Sequence, residues 1–110
     1  MNQSNSDWLA GWYRRQCNGE WEHSYGVSIE TTDNPGWSLK IDLRGTPFED
    51  VPFEKWESNI DSEIDWLICL TQDKTFRAYG GPSRLSEMIG VFRDWIEDHE
   101  SCPIKTPSAT

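Results

Sequence analysis

Between Glu20 and Leu43 the chain reads EWEHSYGVSIETTDNPGWSLKIDL, and residue types suited to chemistry gather there. Glu22 and His23 precede Asp33, and an imidazole acting as a general base near neutrality needs a carboxylate to orient it. The set lacks a nucleophile, because no Ser or Cys stands in a recognisable nucleophile turn. Taken as a strand, the stretch would also send adjacent Glu22 and His23 to opposite faces. A structural or surface role is therefore the leading reading. A small enzyme or ligand-binding domain using Glu22, His23 and Asp33 is the alternative. The following Asp33-Asn34-Pro35-Gly36 has a mechanical explanation: Asp33 or Asn34 bonds back to the chain, Pro35 fixes φ, and Gly36 supplies the positive φ of a type II turn. Trp37 then enters the core face.

Metal chemistry needs three or four convergent ligands, and the chain offers His23, His99 and three scattered cysteines, Cys17, Cys69 and Cys102. No metal and no other cofactor is expected. An odd number of cysteines without a CxxC pair argues for free thiols. Gly80-Gly81 reads as a plain turn, since neither GxGxxG nor a phosphate-loop lysine accompanies it.

A third group of residues suits binding better than catalysis. From Glu49 to Asp65 seven acids, Glu49, Asp50, Glu54, Glu57, Asp61, Glu63 and Asp65, face a single base, Lys55. Such a run is most often a solvated face. Phe48, Phe53 and Trp56 are interleaved with it, and aromatic anchors inside a charged rim are how protein interfaces concentrate their energy. This segment, with Trp56 as anchor, is the candidate partner-binding surface.

The elements that must hold these groups follow from periodicity. One domain is expected from 110 residues, folded over about 6–100 with 101–110 as a loose tail. Seven Trp, four Phe and three Tyr are expected to carry most of the core. Residues 6–17 place Trp8, Leu9, Trp12 and Tyr13 on one helical face behind Ser6 as N-cap, and Asn18-Gly19 ends that helix. Tyr25 to Thr31 and Trp37 to Leu43 alternate with period 2 and read as a hairpin. FEKWES suits a short edge strand. DWLICLTQ and TFRAYG, joined at Asp73-Lys74, suit a second hairpin. Leu85, Met88, Ile89, Phe92, Trp95 and Ile96 then mark a C-terminal helix capped by Ser83. The expected fold is α+β: a single antiparallel sheet of about four to five strands, with an N-terminal and a C-terminal helix packed on it.

Nineteen acids against ten bases give a net charge of −9, which disfavours nucleic acid as a partner and favours a basic one. No apolar run reaches the roughly 18 residues of a membrane span, and MNQSNSDW lacks the character of a secretory signal. A cytoplasmic location without a membrane partner is expected.

These residues carry a resemblance. The segment from Trp8 through Trp12 to the Trp21-Glu22-His23-x-Tyr25-Gly26 and Asp33-Asn34-Pro35-Gly36-Trp37 blocks, then DWLICL and AYGGPSRLSEMIGVFRDW, resembles the bacterial immunity protein 53 family of polymorphic toxin systems. Asn18 stands where Asp is the commoner choice. The resemblance implies a protein that binds a cognate toxin and prevents self-killing, brings no catalytic residues with it, and so points to a non-enzyme. Because many such toxins are nucleases with basic grooves, an acidic inhibitor occluding the groove agrees with the charge balance.

Overall fold

A computed structural model of the chain describes residues 3–101. Of the expected tail 101–110, Ser101 belongs to the last helix, and 102–110, with Cys102, lie outside the described residues. Helix α1 (Asn5–Gln16) and the short α2 (Trp21–Ser24) precede β1 (Val27–Thr32), β2 (Gly36–Asp42), β3 (Trp56–Ser58), β4 (Leu67–Gln72) and β5 (Thr75–Gly80); α3 (Leu85–Ser101) closes the chain. The strands form one antiparallel sheet in the order β1-β2-β5-β4-β3. The α+β expectation is met, with five strands.

Register decides which residues share a face. Val27 and Ile29 on β1, Leu39 and Ile41 on β2, Phe76 and Ala78 on β5, Leu67 and Cys69 on β4, and Trp56 on β3 lie on one side. Helices α1 and α3 cover that side and add Trp8, Leu9, Trp12, Met88, Ile89, Phe92, Trp95 and Ile96 to a single core. Aromatic rings fill it edge to face, with Trp12 and Phe92 centroids 5.1 Å apart and Phe53 and Trp95 centroids 5.2 Å apart. Offset and edge contacts suit the ring quadrupole, each adding about 0.5–1.5 kcal/mol beyond burial. Buried indoles also need an acceptor, and Trp21 Nε1 donates to the Arg44 carbonyl at 2.7 Å while Trp95 Nε1 donates to that of Pro52 at 3.2 Å.

Several local expectations are corrected. The Ser4 hydroxyl, not Ser6, caps α1 by accepting the Asp7 N–H at 3.1 Å. The last helix begins at Leu85, so the cap position falls to Arg84 rather than Ser83. Gly36 is not a positive-φ turn residue: it opens β2 opposite Thr32, leaving Asp33, Asn34 and Pro35 as the turn. Its requirement is steric, because a Cβ there would run into the Gly80 carbonyl of the neighbouring strand. Gly81 is similar, with its N–H donated to the Trp66 carbonyl at 3.0 Å and its Cβ position filled by the Ile64 backbone. The turn that does use positive φ is Asp73-Lys74, at φ 54° and 57°, the mirror-image turn whose twist matches a tight hairpin.

Candidate functional site

Glu22 and His23 sit on α2 rather than on a strand, and the reason is local. Asn18 Oδ1 accepts the N–H groups of Glu20 and Trp21, each at 2.9 Å, and Glu22 reaches back to the N–H groups of Asn18 at 2.9 Å and Gly19 at 2.8 Å. This is the reciprocal logic of a capping box, in which side chains take up the orphan donors at a helix start. Its own backbone N–H, together with those of Asn18 and Gly19, holds the Glu22 carboxyl below the usual carboxylate range. The carboxylate is therefore occupied in holding backbone. Asp33 lies beyond the far end of β1, a strand of 6 residues and so roughly 20 Å of chain away. Glu22, His23 and Asp33 are not brought together, and the general-base arrangement is not assembled.

The rest of the Trp21-to-Trp37 block serves the same structural end. Trp21 is buried, packs edge-on to Trp12 at 6.3 Å, and also meets Tyr13 and Tyr25. Gly26 donates its N–H to Asp42 Oδ2 at 3.0 Å, fixing the start of β1 against β2. Trp37 Nε1 donates to the Pro82 carbonyl at 2.9 Å, tying the first hairpin to the turn before α3.

The acidic segment is distributed differently. Only Glu57 lies in β3, the other members flank that strand in loops, and several already have partners. Lys74 meets Asp50 at 2.7 Å and Glu49 at 3.7 Å, Lys55 meets Glu57 at 3.2 Å, and Arg84 meets Asp65 at 3.4 Å. The Asp50 hydrogen bond, assisted by Glu49, holds the Lys74 ammonium above its ordinary range. Glu54, Asp61 and Glu63 are exposed and have no ion pair among the described residues. Of the aromatic residues interleaved with them, Phe48 and Phe53 are not surface anchors. Phe48 is buried against Trp95 at 5.2 Å and Phe53 packs on Phe76 at 5.4 Å. Trp56 alone among the three faces solvent, at 37% exposure.

Trp56 stands at a cleft of about 540 Å³ between the β3 edge and α3, whose lining includes Glu54, Glu87, Asp94 and Asp98. The helix acids were missed in the sequence, although Glu87, Asp94 and Asp98 fall at i, i+7 and i+11, the spacing of one helical face. A second cleft, of about 470 Å³ and mostly apolar, lies between α1 and β1 and is lined by Leu9, Tyr13, Tyr25 and Ile29 among others. Among the described residues no group of three His, Cys, Asp or Glu is placed to hold a metal ion, and no helix is long and apolar enough to cross a membrane.

What the geometry offers is a compact α+β scaffold whose charged groups line open surfaces, a design suited to contact with another macromolecule. Residues 6–97 match the family described as immunity protein 53, and the chain belongs to that family. No curated protein and no solved structure matches it.

Proposed function

We propose that this protein neutralises a cognate toxin by laying an acidic surface over a basic, nuclease-like active site. The observation that carries the reading is the Trp56 cleft, where a half-exposed aromatic ring is ringed by Glu54 from the loop before β3 and by Glu87, Asp94 and Asp98 from α3. Membership of the immunity family supports a toxin as partner. Acids at a rim make the local potential negative and steer a basic partner in, whereas a desolvated ring holds it once seated. The surface includes the exposed Glu54, Asp61 and Glu63 of the acidic segment, while Glu49, Asp50, Glu57 and Asp65 are already engaged by Lys74, Lys55 and Arg84. Inhibition of this kind transfers no proton, so the protein acts as a binder and not as an enzyme.

The test is kinetic. Association of the toxin encoded beside the gene is measured at low and high salt for the native chain and for Glu54→Gln/Asp94→Asn/Asp98→Asn. The variant should associate more slowly and with a flatter salt dependence. Trp56→Ala should weaken binding by about 2 kcal/mol or more through faster dissociation. Unchanged rates in both folded variants would place the interface elsewhere.

A further inference from the structure

The side of the sheet turned away from α1 and α3 carries a charge arrangement that folding does not explain. Lys40 on β2 is directly opposite Arg77 on β5, and Arg77 is directly opposite Leu70 on β4. In the adjoining row Ser38, Tyr79 and Ile68 lie side by side. Like charges directly opposite one another on a sheet repel. Neither Lys40 nor Arg77 has an ion pair among the described residues, and the Arg77 Nε is buried with no hydrogen-bond partner. Arg84 shares a buried Nε without a partner, but its terminal nitrogens reach Asp65, Glu87 and the Ser58 hydroxyl, whereas Arg77 has no ion pair among the described residues. In a chain with nineteen acids, the nearest acid on the same face of β2, Asp42, is engaged by the Gly26 N–H.

We propose that this face is a second docking surface, one that receives a carboxylate of the partner protein between Lys40 and Arg77, with Leu70, Ile68 and Tyr79 as its apolar surround. It rests on the proposed function in taking the toxin as that partner. A carboxylate bonded by the Arg77 terminal nitrogens would relieve the repulsion with Lys40 and give both cations a counter-charge in a single contact. Half-buried Ile68, Leu70 and Tyr79 supply the apolar ground in which such a contact is worth most.

Two other occupants fit less well. In an isologous pairing of two copies the patch meets itself, setting cations against cations. A polyanion would be repelled by Glu30 and Glu57 at the rim of the same face and by the net charge of −9. Geometry also links this face to the acidic one. Strand β3 spans only Trp56–Ser58 and pairs with Leu67 to Cys69, so the outer edge of β4 at Leu70 is left beside the open face. A partner wrapping the β3 edge reaches both surfaces.

The experiment compares toxin binding by the native chain, by Lys40→Glu and by Lys40→Ala/Arg77→Met, with the toxin domain encoded beside the gene as probe. Dissociation should quicken at least tenfold in the double variant and further in the charge reversal, while thermal stability stays level or rises. Lys40 is exposed, so Lys40→Glu keeps the test open if the Arg77 change impairs folding. If the native chain does not bind the toxin, the proposed function fails. If it binds and both folded variants dissociate at the native rate, this inference alone fails. It is equally overturned if sedimentation shows a dimer that Lys40→Glu dissolves, or if single-stranded DNA binds the native chain and is released by the same change.

Discussion

Phe76 and Arg77 are neighbours on β5 and look out from opposite sides of one sheet. Phe76 is fully buried, 4.9 Å from Phe92 and 5.4 Å from Phe53 by ring centroids. Arg77 has a buried nitrogen without a partner and a lysine across the strand. On the covered side ring meets ring, and the indoles of Trp21 and Trp95 each find a carbonyl, so stability accounts for the choice of residue. On the uncovered side stability argues against the choice. The difference teaches where to look for function: residues that cost the isolated chain something are the ones another molecule must explain.

The comparison is broken most easily from the covered side. Phe92→Ala removes a ring that touches Trp8, Trp12, Phe76 and Trp95, and should cost about 3–5 kcal/mol in chemical denaturation. A loss below about 1 kcal/mol would mean that the aromatic cluster is not the centre of the core. Gly36→Ala comes next, at roughly 1–3 kcal/mol, because the added methyl must displace the Gly80 carbonyl from the β2–β5 ladder. On the open side Leu70→Ala should cost only about 1 kcal/mol, the transfer of part of a half-buried side chain with no closed cavity left behind. A value as large as that of Phe92→Ala would erase the distinction between the two faces.

The smallest effect sharpens the picture at α2. Glu22 has its acidity raised in the folded state, so its stabilising contribution is fully present above the ordinary carboxylate pKa and is lost as pH falls through the depressed folded value. Glu22→Gln should therefore melt slightly below the native chain at neutral pH and coincide with it in strong acid. Thermal melts across that range check the convergence. His23→Ala, by contrast, should leave the melting temperature unchanged, since His23 is exposed at the end of α2.

What the sequence disclosed was what local chemistry decides. The second hairpin was legible because two β-rich runs stand two residues apart at Asp73-Lys74, and α3 because six apolar residues repeat at helical spacing over a long run. The four-residue α2 was not legible, because periodicity has no purchase on so short an element and its definition lies in side chains of Asn18 and Glu22 bonding to backbone. Gly36 was rightly singled out for the wrong reason: the neighbour it makes room for, Gly80, is remote in sequence. Likewise the acidic run was plain, but its division into paired and unpaired members depends on Lys74 and Arg84, which only the folded sheet brings alongside. Phe48 and Phe53 looked like surface anchors for the same cause, since burial is settled by what α3 places over them.

Cys69 lies on the covered side of β4, fully buried, and burial pushes its thiol up to about 12. A thiol reacts as thiolate, so at neutral pH an aqueous alkylating reagent meets an almost inert group until the strand is exposed. In a chain carrying Cys17→Ser and Cys102→Ser, the alkylation rate then counts openings of the sheet, one modified sulfur for each successful escape. The same sulfur reports occupancy from a distance. Anything that binds only the closed sheet slows the count by the factor 1 + [L]/Kd, without a dye, a tag or a change at either docking surface.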